Sequence, residues 1–206
     1  MSRHSYKAPA PPYLGPPKYH GDIDNKPIDW LVLHSTVSPC VPGGARSIAR
    51  YFRETITVPA SAHYVTDPRE AVQVTWDSVE AYHCGYNRHS LGIEMCDNPG
   101  PMPSYAPGSR LWRKLRTRWR WADRNHRAMR AVTAKLVAQL CAAYDVPARF
   151  VGVGQLRAGR RGITTHANMS EAFHRSTHWD PGAWPRYGFM RQVRRELRKI
   201  KREGNR

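Results

Sequence analysis

Three places in the chain carry side chains that bind metals or move protons: His34, the cluster His166, His174 and His178 with Asp180, and Glu94. A catalytic zinc site needs three protein ligands of the His or carboxylate type and an open position for water. Those ligands need not be close in sequence, because a fold brings distant strand ends together. His34 at the end of an apolar run, His166 after Gly162-Ile163-Thr164-Thr165, and Asp180 in an Asp-Pro-Gly turn could form such a set. Water on a metal has a pKa near ~7, and a nearby carboxylate can take its proton. Glu94 suits that role if its strand turns it away from the core. On residue type and spacing alone, histidines satisfied within the structure are the alternative reading. His4, His20 and His126 lie in polar contexts and read as solvated.

The elements that must position these groups are legible in outline. Trp30-Leu31-Val32-Leu33-His34 reads as a buried strand that delivers His34 at its C-terminal end. In Ser90 to Cys96, Leu91, Ile93 and Met95 alternate with Gly92, Glu94 and Cys96. If the first set packs inward, Glu94 points to the opposite face. Ala62 to Thr66 and Ala71 to Trp76 are also strand-like. Ala45 to Glu54 carries Ile48, Ala49, Tyr51 and Phe52 at helical spacing. A longer helix is expected from about Arg124 to Tyr144, with an apolar stripe from Met129 to Tyr144 and Pro147 beyond its end. A final basic helix is expected from Pro185 to about Lys201, with Phe189, Met190, Val193 and Leu197 on one side. Repeated prolines make residues 1–28 an extended arm rather than a helix or strand. Asn98 to Gly108 reads as a Pro/Gly-rich loop. Strands interleaved with helices point to a single α/β sheet domain.

Composition bounds the rest. The chain has 206 residues, 40% hydrophobic with 7 Trp, which is enough for a core and too apolar for a disordered segment. No apolar run approaches the roughly 20 residues of a bilayer span. The first residues lack an apolar stretch of the signal-peptide kind, so no secretory signal is expected. Cys40, Cys84, Cys96 and Cys141 show no C-x-x-C spacing, which excludes a zinc ribbon and favours reduced thiols. The net charge of +17 predicts attraction to a polyanion, and nucleic acid, teichoic acid and anionic lipid all qualify. That charge is uneven. Residues 27–97 hold 5 basic and 8 acidic side chains, whereas 110–130 hold 9 and 1, and 186–206 hold 9 and 2.

Five runs occur in a telling order: Leu31-Val32-Leu33-His34-Ser35-Thr36, Ser61-Ala62-His63-Tyr64-Val65, Tyr82-His83-Cys84-Gly85, Ser90-Leu91-Gly92-Ile93-Glu94 and His178-Trp179-Asp180-Pro181-Gly182. Together they resemble the zinc-dependent N-acetylmuramoyl-L-alanine amidases of the type-2 amidase and peptidoglycan-recognition-protein superfamily. The stretch from Val37-Ser38-Pro39-Cys40 to Tyr51-Phe52 resembles the amidase modules of actinobacteriophage endolysins. The resemblance covers about residues 28 to 195. It implies a central mixed β-sheet flanked by helices, arranged as a Pro-rich arm (1–27), a zinc amidase catalytic domain (28–200) and a basic tail (201–206). It also implies Zn2+ as cofactor, with His34, His166 and Asp180 as first, second and third ligands. Glu94 matches the general base. His178 falls where many relatives carry a lysine that steadies the oxyanion. The segment before Asp180 is longer than in compact relatives, which makes His174 the competitor of His166. His63 and His83 match positions that pack or hydrogen-bond behind such a site.

The implied reaction is hydrolysis of the amide between N-acetylmuramic acid and L-alanine in bacterial peptidoglycan. An endolysin-like protein would accumulate in the host cytoplasm and reach the cell wall with the help of a holin, causing host cell lysis. Basic segments could hold it to anionic wall polymers. Two rivals stand beside this reading. A non-catalytic peptidoglycan-binding protein would be expected to lack a ligand, and the His34, His166, Asp180 and Glu94 set is complete. A nucleic-acid-binding protein is suggested by Arg110 to Arg130 with Trp112, Trp119 and Trp121 interleaved. The same run also reads as a basic helix start whose tryptophans fill a core.

Overall fold

The computed structural model describes residues 27–55, 60–98 and 120–204, together with the backbone of Tyr19–Asp22. His4, Trp112, Trp119, most of the proline-rich arm and nearly all of the Asn98 to Gly108 loop lie outside the described residues, as does the side chain of His20.

The sheet is built around one strand that is apolar on both faces. Strand β2 (Trp30–Ser35) is buried throughout, and Leu31, Val32 and Leu33 have no exposed surface. A near-continuous apolar run is what a strand covered on both sides requires. It lies between β6 (Ser90–Met95) and β7 (Gly162–Thr165), parallel to both. Beyond β6 come β3 (Tyr64–Thr66), parallel to it, and β4 (Ala71–Gln73), antiparallel to β3. The order β4-β3-β6-β2-β7 makes a mixed five-stranded sheet. A separate antiparallel pair joins β1 (Tyr19–Asp22) to β5 (Val79–Ala81). The strand β1 corrects the expectation of an arm without strand structure. Its partner lies some sixty residues away, and no local pattern announces such pairing.

Helices cover the sheet. They are α1 (Gly44–Glu54), α2 (Arg124–Ala143), α3 (Val153–Arg157), α4 (His166–Phe173) and α5 (Arg186–Gly204). Leu31 and Leu33 on β2 join Leu91, Ile93 and Met95 on β6 in the main core, with Met129, Leu136 and Leu140 of α2 and Phe189 and Val193 of α5. The alternate residues Trp30 and Val32 face a second, smaller cluster with Cys84, Leu156 and Met169. Trp121 is 3% exposed and belongs to the main core, so this tryptophan of the basic run fills space rather than offering a stacking surface.

The expected strands at 30, 64, 71 and 90 and the three expected helices all form, within a few residues of their anticipated ends. Strands β5 and β7 and helices α3 and α4 were not anticipated. Each is short, and β7 (Gly-Ile-Thr-Thr) takes its strand character from pairing with β2.

Candidate metal centre and active site

Strand register brings the first two functional groups together. In the parallel β2–β6 pair, His34 lies opposite Glu94, as Val32 lies opposite Gly92. Both side chains therefore leave the sheet on the face away from the main core, as the alternation in Ser90 to Cys96 predicts. Strand β7 ends on the other side of β2, and the next residue is His166, the first of α4. Thr165 caps that helix by accepting a hydrogen bond from the Asn168 N–H. The cap holds His166 at the sheet edge. Asp180 arrives from a turn with a cis Asp180–Pro181 peptide bond. That turn is tied back by the Ala167 N–H, which donates to the Asp180 carbonyl at 3.0 Å.

Three metal-binding atoms converge there. One ligand atom each from His34, His166 and Asp180 lies within 4.8 Å of the other two, and all three residues are buried. His34 Nδ1 is 3.0 Å from His166 Nδ1 and 3.5 Å from Asp180 Oδ2, while His166 Nδ1 is 3.1 Å from Asp180 Oδ1. The Ser35 N–H donates to Asp180 Oδ2 at 3.1 Å and fixes the carboxylate. His174, by contrast, is the exposed left-handed residue that ends α4 and lies outside this cluster.

The hydrogen bonds behind His34 define which of its nitrogens is free. Ser90 Oγ donates to the Asn87 carbonyl at 2.6 Å, so it accepts from His83 Nε2 at 3.1 Å. His83 Nδ1 is then the acceptor for His34 Nε2–H, also at 3.1 Å. His34 Nδ1 is left as a bare lone pair aimed at His166 and Asp180. Burial, reinforced by the charge of His166, lowers the His34 pKa to about 4, so its neutral form is favoured. Burial likewise lowers His83 well below the ordinary histidine value. His63 lies behind His83. It accepts from the Gly92 N–H and donates to the Val79 carbonyl, the packing role the sequence suggested.

The Asp180 carboxyl is held below the ordinary carboxylate range. Burial alone would raise it, but the hydrogen bond from His166 outweighs that effect. A lone pair, a carboxylate and a second imidazole nitrogen meeting at one buried point form a donor set suited to zinc. His34 and His166 each keep the other ring nitrogen in a hydrogen bond, His34 with His83 and His166 with Ser176 Oγ at 2.9 Å. Such outer contacts orient histidine ligands.

Glu94 stands beside this set, with Oε1 3.9 Å from His34 Nδ1. Its Oε2 is buried and has no hydrogen-bond partner among the described residues. Burial, and then the negative charge of Asp180, raise its pKa well above the usual value. His178 is exposed at the mouth. Its ring stacks on His166 with centroids 4.5 Å apart and planes 9° from parallel, and Nδ1 is 3.7 Å from Asp180 Oδ1. Partial burial and the charge of His166 lower its pKa despite Asp180.

One assignment made from sequence changes. His126 is buried rather than solvated: Nε2 contacts Asp97 Oδ1 at 3.0 Å and Nδ1 contacts Asp123 Oδ2 at 2.6 Å. Fully buried Asp97 also receives Arg120 and the Ser35 hydroxyl, so this network supports β2 one residue beyond His34. Nothing in the sequence near His126 marks Asp97 as its partner. Ser176 behind His166 was missed for the same reason. The four cysteines are free, and burial pushes the Cys84 thiol up to about 12, which disfavours a thiolate ligand beside this site.

A family model described as N-acetylmuramoyl-L-alanine amidase (Amidase_2) matches residues 24–183. Among solved structures, PlyL superposes with a TM-score of 0.55 at 18% identity, covering 89% of this chain and 95% of its own. The Staphylococcus aureus hydrolase AmiA, in complex with its ligand, gives 0.62 at 14% identity, with 94% and 84% covered. A selenomethionine derivative of AmpD gives 0.56 at 16% identity, with 94% and 98% covered. At these identities the likeness is one of fold. No curated protein matches by sequence. No helix among the described residues is long and apolar enough to cross a membrane.

Proposed function

Because this chain belongs to the N-acetylmuramoyl-L-alanine amidase family, we propose that it hydrolyses the amide joining N-acetylmuramic acid to L-alanine in bacterial peptidoglycan. The observation that carries this reading is the buried meeting of His34, His166 and Asp180 with Glu94 beside it, whose Oε2 has no hydrogen-bond partner among the described residues. A zinc ion held by those three residues would supply Lewis acidity toward water and the scissile carbonyl.

The protein groups divide the remaining work. Glu94 accepts the proton of the attacking water and returns it to the leaving amine, and its raised pKa suits a group that must both take and give a proton. His178 lies at the exposed edge of the site. As a neutral imidazole it donates a hydrogen bond to the developing oxyanion, in place of a charged lysine. His83 and Ser176 hold the two histidine ligands in their working tautomers and orientations. A non-catalytic wall-binding protein would have no use for a Glu94 oxygen buried without a partner beside those three residues. A lytic, endolysin-like setting, with release from a host cytoplasm through a holin, follows from the sequence resemblance to phage modules.

Mass spectrometry of digested cell wall tests the reaction, because it identifies the bond cut. The expected products are stem peptides with a free L-alanine amine and glycan strands with a free lactyl carboxylate. Glu94→Gln should retain zinc by elemental analysis and lose about 10²–10⁴-fold in turnover, the usual share of general acid–base catalysis. Near-normal release of stem peptide by that variant would overturn the assignment. His34→Ala and Asp180→Ala should instead lose the metal.

A further inference from the structure

The sheet face opposite the catalytic site is covered by α2 and α5, which carry a groove of about 590 Å³ between them. It is lined by Arg130 of α2 and by Arg191, Gln192, Arg194, Arg195 and Arg198 of α5. Arg194 is used structurally, since its Nε donates to the Ala148 carbonyl, and Arg195 pairs with Glu196. Arg191 and Arg198 are exposed, and no ion pair is recorded for either among the described residues. Arg130 Nε and Gln192 Oε1 are buried without a hydrogen-bond partner among the described residues. Burial, and then the like charge of Arg127, lower the Arg130 pKa. A cation that is partly desolvated, crowded by a like charge and unpaired favours an incoming anion.

We propose that this groove anchors the protein to a linear phosphodiester polymer attached to the bacterial cell wall, at a site separate from the catalytic centre. Three observations select that partner. Arg191, Arg194 and Arg198 recur about once per turn along α5, about 5.4 Å apart, and among the described residues Arg194 engages only its Nε, on the Ala148 carbonyl. Polyol phosphates place their charges only a few bonds apart, a spacing of this order. Carboxylates of a glycan strand's stem peptides sit on flexible side branches rather than along one continuous backbone, and match a regular row of arginines poorly. Guanidinium forks also bind phosphate in a bidentate manner. Finally, no aromatic side chain among the described residues lines the groove, so those residues offer no stacking platform of the kind a single-strand nucleic-acid site uses. The location of the polymer in the cell wall rests on the proposed function; its phosphate chemistry rests on the groove.

The test compares the full-length, zinc-loaded protein with an Arg191→Glu/Arg198→Glu variant. Binding is read in the Glu94→Gln background on purified walls, before and after chemical removal of their phosphodiester polymers. Turnover of a soluble muramoyl-peptide is read in the Glu94 background. Charge reversal should weaken binding to intact walls by about tenfold or more and flatten its salt dependence, as loss of phosphate contacts does. It should leave soluble turnover unchanged, and polymer removal should weaken the parent to the level of the variant. Equal binding by parent and variant, or equal binding to intact and stripped walls, would overturn the proposal. So would tighter binding to a DNA oligonucleotide than to the extracted polymer at equal phosphate concentration. If the reversal impairs soluble turnover, the milder Arg191→Gln/Arg198→Gln pair answers the same question. Failure of the parent on the soluble substrate counts against the amidase reading alone.

Discussion

At the scale of single residues, the site works by controlling where protons sit. His34 presents a bare Nδ1 because Ser90 and His83 force its proton onto Nε2, a chain of three hydrogen bonds that begins at the Asn87 carbonyl. Glu94 is treated in the opposite sense: burial disfavours its charge, so it holds a proton more tightly than a solvated carboxyl does. This has a signed consequence for stability. Below its ordinary value of 4.5 the group is protonated in both folded and unfolded chains and costs nothing. Above that value the unfolded chain ionises first, and folding is increasingly penalised until the folded carboxyl also ionises. Metal-free Glu94→Gln should therefore melt higher than metal-free wild type near neutrality, with the gain vanishing as the pH falls below 4.5. Thermal melts across pH check this, and a gain that persisted in acid would contradict it. The residue types at this scale, His34, Glu94, His166 and Asp180, were legible from sequence. Their protonation was not, because Ser90, His83 and Ser176 act across space.

Secondary-structure elements set the precision of the site. The β2–β6 register sets His34 against Glu94, and a slip of one residue would turn one of them into the main core. Gly92 faces the same way, two residues before Glu94. A Cβ there would come within 2.6 Å of the His83 ring, so glycine is required by close approach. Gly92→Ala should push His83 off His34 and cost about 1–3 kcal/mol, the range for overpacking a filled core. Zinc affinity should fall with it, by about 10–100-fold if the His83 contact is lost. Chemical denaturation and metal competition with a chelator measure the two effects separately. Helical stripes and strand alternation announced α1, α2, α5 and β6 because each pattern is local. The strand β7 and helix α4, which place His166, were silent in the sequence. Four residues carry too little periodicity, and the helix of eight depends on its Thr165 cap and on packing against α3.

For the molecule as a whole, metal binding and folding should be coupled, because the proposed ligands come from β2, from the start of α4 and from a distant turn. Free zinc at one hundred times its dissociation constant would stabilise the fold by about 2.7 kcal/mol. A chelator should then lower the melting temperature of the wild type and leave His34→Ala unaffected; an equal drop in both would argue against zinc at this site. The net charge of +17 is likewise organised at this scale. Residues 27–97, which carry His34 and Glu94, are net acidic, while Arg130 of α2 and Arg191, Arg194, Arg195 and Arg198 of α5 collect across the sheet in one groove. Sequence alone determined the kinds of chemistry available, the strands that deliver His34 and Glu94, and the size of the charge. Those follow from residue type and from short-range periodicity, which a linear chain displays directly. Tertiary structure alone decided that His166 rather than His174 meets His34 and Asp180, that His126 is buried on Asp97, and that Arg130 joins the arginines of α5 in a groove away from the site. Each of these depends on contacts between residues far apart in the chain, and only packing brings such partners together.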